Sequence, residues 1–271
     1  MVIESREDIV RVFDVFRAGI DERNDRRERI IKLSREITIQ SKRVIFLIHR
    51  TVTDDNQSTI SPDETPYQKA AKTAHGKLLH IKKSFILPLK AELISEADYW
   101  ENQRSVTPGI QEFIEAVSYY HYFETDRLIT HHEMEGWLTD ESGNPILPLP
   151  YSEFLLGLSD LTGELMRFAI TAIARGGGRA KSESVSEFVR RCNSDFERFT
   201  PFVRDLWKKQ QVTRQSVLKI EQANYTVRLR SAEFQSDPQD IDRLVQRTML
   251  QQEPPYHRRD LDTEGDDYMN T

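Results

Sequence analysis

The stretch Tyr151–Thr171, "YSEFLLGLSDLTGELMRFAIT", decides the fold. At 100° per residue, Phe154, Leu158, Leu161, Leu165, Phe168 and Ala172 make one broad apolar stripe. Leu155, Met166 and Ile173 widen it, and Leu156 and Ile170 reach the back. A helix that is apolar almost all round is buried among other helices. Yet Asp160 and Glu164 stand one turn apart within it. Like charges at i,i+4 weaken a helix, and a carboxylate in apolar surroundings needs a partner. The pattern predicts a buried helix over about Tyr151–Ala174 whose two acids face an interior groove. Gly157 and Gly163 are expected to leave space beside it.

The rest of the chain reads as further helices. Over about Ile9–Thr51, Ile30, Ile37 and Val44 recur every seven residues, with Ser34, Ser41 and Ile48 between them. That is a coiled-coil-like seam in which the small residues allow close approach. "DDNQSTISPDETP" reads as a loop, and a second helix spans about Pro66–Ala97, with Pro88 expected to kink or split it. A third helix starts near "SVTPGIQEF" and reaches about Trp137. After the Pro-rich loop "DESGNPILPLP" comes the Tyr151 helix, then the break "RGGGRAKSES", with Ser182 or Ser184 as N-cap. A fifth helix covers about Val185–Phe199, and Pro201 suits the first turn of a sixth that runs to about Ser231. A short helix near Gln239–Leu250 closes the fold, and no strand-turn-strand pattern stands out. The expectation is an all-α bundle of about seven helices forming one domain over residues 1–250, with a disordered polar tail over 251–271.

Composition narrows the function classes. In 271 residues no run of about 18 apolar residues occurs, so no transmembrane span is expected. The start "MVIESREDIV" lacks the apolar core of a signal peptide. Cys192 is the only cysteine, which excludes an internal disulfide and suits a reducing compartment, the cytoplasm or the nucleus. A net charge of -6 argues against nucleic-acid binding on bulk charge alone, so any such binding needs a local basic patch or a basic partner.

A second pair of acids, Glu112 and Glu115 in "GIQEFIEAVSYYHYF", is spaced i,i+3 and shares a helix face. If this helix packs on the Tyr151 helix, Glu112, Glu115, Asp160 and Glu164 converge. Bundles build metal sites from such inward acids, although the Glu-x-x-His motif of iron carboxylate bundles is absent. An all-oxygen set favours Mg²⁺ or Mn²⁺ and supports hydrolysis of a phosphodiester. The bland alternative is that Arg167 and a neighbouring Lys or Arg neutralise the acids as buried ion pairs.

At these residues the chain resembles the translin family. "KLSREITIQSKRVIFLIHR", "GIQEFIEAVSYYHYFETDRLIT", "YSEFLLGLSDLTGELMR" and "SVLKIEQANYTVRLRSAEF" carry the likeness over roughly Phe16–Phe234. The resemblance implies a bundle of about seven helices and assembly with translin into a closed, barrel-like hetero-oligomer. It further implies a Mg²⁺-dependent endoribonuclease acting on single-stranded RNA in the interior, of the type that processes small-RNA passenger strands or tRNA fragments. The family's catalytic carboxylates fall on Glu112, Glu115 and Asp160, and Glu164 matches a further acid of the metal site. Translin subunits lack the first three acids and keep one like Glu164, so the resemblance is to the catalytic branch. The start departs from some members in lacking their basic, nuclear-localisation-like leader, which bears on the expected localisation and not on the expected chemistry. The alternative from another class is a non-catalytic helical protein that binds RNA or stabilises translin.

Other residues compete for a role. Arg27 and Arg35 could contact RNA phosphates, yet "DERNDRRER" interleaves acids and bases as solvated faces do. His121 falls on an apolar stripe and reads as core, whereas His131 and His132 read as surface. Cys192 reads as a small buried hydrophobe. "RGGGR" lacks the Lys-Ser/Thr and the preceding strand of a phosphate loop, so no nucleotide cofactor is expected. The Tyr119, Tyr120, Tyr122 and Phe123 cluster reads as core packing.

Overall fold

The computed structural model describes residues 6–53, 65–174 and 178–233, and these form α-helices joined by short turns. In chain order they are α1 (Arg6–Thr53), α2 (Pro66–Ile81), α3 (Leu87–Glu92), α4 (Glu96–Thr125), α5 (His131–Trp137), α6 (Tyr151–Ala174), α7 (Arg179–Glu197) and α8 (Leu206–Glu233). Among the described residues the only β feature is an isolated bridge between Thr139 and Pro145. The all-α expectation holds. The helix expected near Gln239–Leu250 and the tail lie outside the described residues.

Helix α4 is the centre of the bundle. It packs on α1 and α2 on one side and on α6 on the other, and α6 in turn carries α7 and α8. The heptad of α1 does what its spacing predicts from Ile30 onward: Ile30, Ser34, Ile37, Ser41, Val44 and Ile48 are all buried. Ser34 shows why a small residue is needed. Its Oγ accepts from the Gly109 N–H at 3.1 Å and donates to the Val106 carbonyl at 3.4 Å. A Cβ on Gly109 would lie 2.7 Å from the Ser34 carbonyl oxygen, so only glycine permits this crossing.

Helix α6 keeps the predicted limits, Tyr151–Ala174. Elsewhere the boundaries moved. Helix α4 begins at Glu96, twelve residues before Pro108, where Ser95 and Asp98 form a capping box; Pro108 sits inside the helix without ending it. It stops at Thr125 because Asp126 takes a left-handed conformation, φ 55°. The run expected to reach Trp137 is therefore two helices, the second capped by Thr130 and Glu133. Helix α7 starts at Arg179 behind Gly178, so neither Ser182 nor Ser184 is the cap; the Ser182 hydroxyl instead donates to Asn224 of α8 at 2.9 Å. Pro201 lies in a run of turns, and α8 begins only at Leu206, after Asp205 at φ 65°.

Pro88 disturbs the second helix as expected, by a local change of helical geometry and not a break, and the run expected to reach Ala97 ends at Glu92, before the Ser95 cap of α4. Between α2 and α3, Lys82–Ile86 widens to a π-turn in which the Leu87 N–H reaches back to the Lys82 carbonyl. The buried stripe Ala70, Ala74, Leu78, Ile81 then steps five residues to Ile86 before Leu89 and Leu93 resume the ordinary spacing.

Candidate active site

Helices α4 and α6 lie side by side, as the carboxylate reading requires, and the four acids line one groove. The groove has a volume of about 1070 Å³. Its walls come from α1 (Lys42, Phe46, His49, Arg50), α4 (Glu112, Glu115), α6 (Asp160, Gly163, Glu164, Arg167) and α8 (Lys209, Val212). Two successive turns of α6 thus present acids to the same space, while the opposite face of that helix fills the core with Leu158, Leu161, Leu165 and Phe168.

The acids are not equivalent. Asp160 accepts from Lys209 Nζ at both oxygens, 2.7 and 2.6 Å. Burial raises its pKa and Lys209 opposes the rise; with the side chain still 31 % exposed, the pair is only partly desolvated. Glu112 faces Lys42 at 3.3 Å, and its other oxygen, Oε2, is buried without a hydrogen-bond partner. Burial raises its pKa as well. Glu115 is the extreme case, 9 % exposed and with its pKa pushed well up, first by burial and then by the charges of Asp160, Glu112 and Glu164. Glu164 accepts from His49 Nε2 at 2.6 Å and from Arg167 at 3.2 Å.

The ion-pair alternative is thus realised for three of the acids: Arg167 pairs with Glu164, Lys209 with Asp160 and Lys42 with Glu112. Among the described residues no three acids or histidines stand close enough to hold a metal ion as they are. The donor chemistry nonetheless fits a hard divalent cation: all ligands are oxygens, one buried carboxylate oxygen is orphaned, and Glu115 sits among three like charges. A cation there would have to take the place that the Lys209 ammonium now holds on Asp160.

The basic residues of the groove come from elsewhere than expected. Arg27 and Arg35 are exposed on α1, and neither lines the groove. Arg35 shares a face with Lys42 and Phe46, seven and eleven residues further on. His121 is buried, and burial lowers its pKa. His132 is exposed as expected, but His131 is mostly buried, its Nε2 at 2.9 Å from the Leu149 carbonyl and its ring stacked on Tyr151. Tyr119 and Tyr122 are core residues, also as expected. The sequence reading missed Lys42, His49 and Lys209. Lys42 and His49 had a detectable signal, a seven-residue spacing along one face of α1. Lys209 had none, because its partner is 49 positions away.

The fold and groove define a class: a helical bundle whose central helices hold a cluster of carboxylates against lysines in an open groove. The chain belongs to the translin family, whose model matches residues 25–231. It is similar to Translin-associated protein X of Mus musculus, 34% identical over 248 residues, 83% of this chain and 80% of that protein. It is also similar to the Translin-associated protein X homolog of Schizosaccharomyces pombe, 32% identical over 222 residues, 80% and 87% of the two chains. Among solved structures, apo-NeC3PO matches with a TM-score of 0.58 at 14% identity, over 82% of this chain and 97% of that one. An AfC3PO complex with duplex RNA matches with a TM-score of 0.55 at 22% identity, over 80% and 98%. At such identities these likenesses establish the shared fold. No described helix is long and apolar enough to cross a membrane.

Proposed function

We propose that this chain is a metal-dependent endoribonuclease subunit that cuts single-stranded RNA within a hetero-oligomer with translin. The observation that carries this reading is the gathering of four carboxylates from α4 and α6 in one groove, with Glu115 buried among its own kind. Such an arrangement opposes folding unless a cation joins it. Glu112, Glu115 and Asp160 would hold Mg²⁺, or Mn²⁺ in its place, with Glu164 as a further ligand. When bound, the metal supplies a polarised phosphodiester and an activated water.

The chain's own residues do the rest. Lys42 and Lys209 balance the acids until RNA and metal arrive, and then each has an ammonium to offer a phosphate. Arg50 lies along the same wall, and Phe46, 67% exposed, offers a face for a base. Arg35 and Arg27 continue the path along α1, about 10 and 22 Å before Lys42 at 1.5 Å per residue. The relatives named above place the chain beside Translin-associated protein X, in keeping with translin as partner, and its single cysteine fits work in the cytoplasm or nucleus.

The second reading is a non-catalytic helical protein that stabilises translin, and one observation favours it: Lys209 already satisfies both oxygens of Asp160. The test compares the purified complex with its Glu115→Ala and Asp160→Asn forms on single-stranded RNA, in Mg²⁺ and in EDTA. The catalytic reading expects cleavage by the wild type in Mg²⁺ alone and a loss of at least about 100-fold in each variant, the scale of transition-state charge stabilisation. Cleavage that survives in both variants would assign the activity elsewhere. Loss of assembly without any Mg²⁺-dependent cleavage by the wild type would establish the structural role.

A further inference from the structure

Glu164 is joined to the deepest part of the bundle by a chain of hydrogen bonds. Its Oε2 lies 2.6 Å from His49 Nε2, and His49 Nδ1 lies 3.1 Å from the Tyr119 hydroxyl. Tyr119 is fully buried, and the two rings are in contact, with centroids 4.9 Å apart. The chain crosses three helices, α4 to α1 to α6, and ends in the groove.

The donor and acceptor inventory orients it. An ionised carboxylate only accepts, so His49 must carry its proton on Nε2 to bond Glu164. With Nε2 as donor, Nδ1 of the neutral ring is an acceptor, and the Tyr119 hydroxyl is the donor that reaches it. A phenol fully buried, with its ionisation pushed far up by burial, keeps its proton for this purpose. Each group then has a partner, and one direction of donation runs from Tyr119 through His49 to Glu164.

We infer that Tyr119 and His49 are positioning residues: Tyr119 sets the orientation of the His49 ring, and His49 holds the Glu164 carboxyl aimed into the groove. Neither touches the reacting atoms. The arrangement is the outer layer that carboxylate and histidine ligands need in order to stay oriented, and its link to Glu164, His49, comes from α1, a helix that contributes no acid to the groove. The inference rests on the reading of the groove as a divalent-cation site. It also gives Glu164 a role different from the other three acids, since Glu164 alone is held by an imidazole ring that is itself bonded to a buried core residue.

The test uses the full chain in complex with translin and Mn²⁺ as the probe. Tyr119→Phe removes one hydroxyl and keeps the ring. His49→Leu removes the link, and His49→Gln supplies both a donor for Glu164 and an acceptor for Tyr119. The expected result is Mn²⁺ affinity, read by electron paramagnetic resonance, about 10–100-fold weaker in Tyr119→Phe and His49→Leu and largely restored in His49→Gln. Unchanged affinity in Tyr119→Phe overturns the inference. Histidine ¹⁵N shifts provide a reading independent of metal. The wild type should show His49 protonated on Nε2, and Tyr119→Phe should mix the tautomers; an Nδ1-protonated ring in the wild type overturns the inference. If the wild type binds no Mn²⁺, the metal reading falls, and these shifts alone decide whether the positioning chain exists.

Discussion

Two glycines of α6 sit six residues apart and live in different worlds. A Cβ on Gly157 would meet the Gln111 carbonyl oxygen and the Ile114 Cβ of α4, each at 2.9 Å; a Cβ on Gly163 would meet nothing within 4 Å. The two positions are about 9 Å apart along the axis, yet one is a close contact between the central helices and the other opens on the acid-lined groove. Both were expected to leave space. The difference teaches that a glycine in an apolar helix marks either a close approach or an opening, and only the partner helix decides which.

The largest expected contrast between the packed and open sides is chemical. Cys192 is buried on α7, and burial pushes its thiol up to about 12. At pH 8 a native chain should react with a thiol reagent on the order of a thousandfold more slowly than the unfolded chain, whose thiol is near 8.5. A Gly163→Cys variant should gain a second, fast-reacting thiol, and a slow one would show that the groove is closed. Next in size is Gly157→Ala. The added methyl meets backbone, which cannot swing aside, so α4 must shift. Urea unfolding should show a loss of about 1–3 kcal/mol. Gly163→Ala should do the opposite, gaining about 1 kcal/mol from helix propensity alone, because nothing opposes the methyl.

The smallest effect is a pH slope. The Glu115 carboxyl is raised in the folded state, so the folded chain binds the proton more tightly than the unfolded one. Its contribution to stability is therefore lost as pH rises from the ordinary carboxylate range toward the raised value. Glu115→Gln, compared with wild type by urea midpoints in EDTA, should be the more stable at pH 7, and the gap should close near pH 4. A gap that grows on acidification would mean that Glu115 is held ionised by a partner.

How much of this was legible depends on the range of each interaction. The limits of α6 could be read because its apolar stripe is dense and its ends are marked by a Pro-rich loop and a glycine run. The start of α4 was misplaced because Pro108 looks like a first-turn proline, whereas the Ser95–Asp98 capping box thirteen residues earlier does the capping. The end of α4 turns on one backbone angle at Asp126, which composition does not announce. In the groove, the acids announce themselves through i,i+3 and i,i+4 spacing. Their counterions do not. Lys209 and His49 meet Asp160 and Glu164 across 49 and 115 positions of chain, and only the packing of α1 and α8 against α6 brings them together.

The π-turn at Lys82–Ile86 bears on how this helix tolerates changes of length. There the helix accommodates one amino acid more than a regular spiral would need between Ile81 and Ile86, and the surplus is absorbed without rotating Leu89 or Leu93 out of the interior. Pro88 follows at once, in a place where it has no N–H to give and where a regular helix would press its ring on the carbonyl four residues back. The surplus residue and the proline therefore belong together. Shortening the segment by one residue should damage the fold while Pro88 remains and be tolerated once Pro88 becomes alanine.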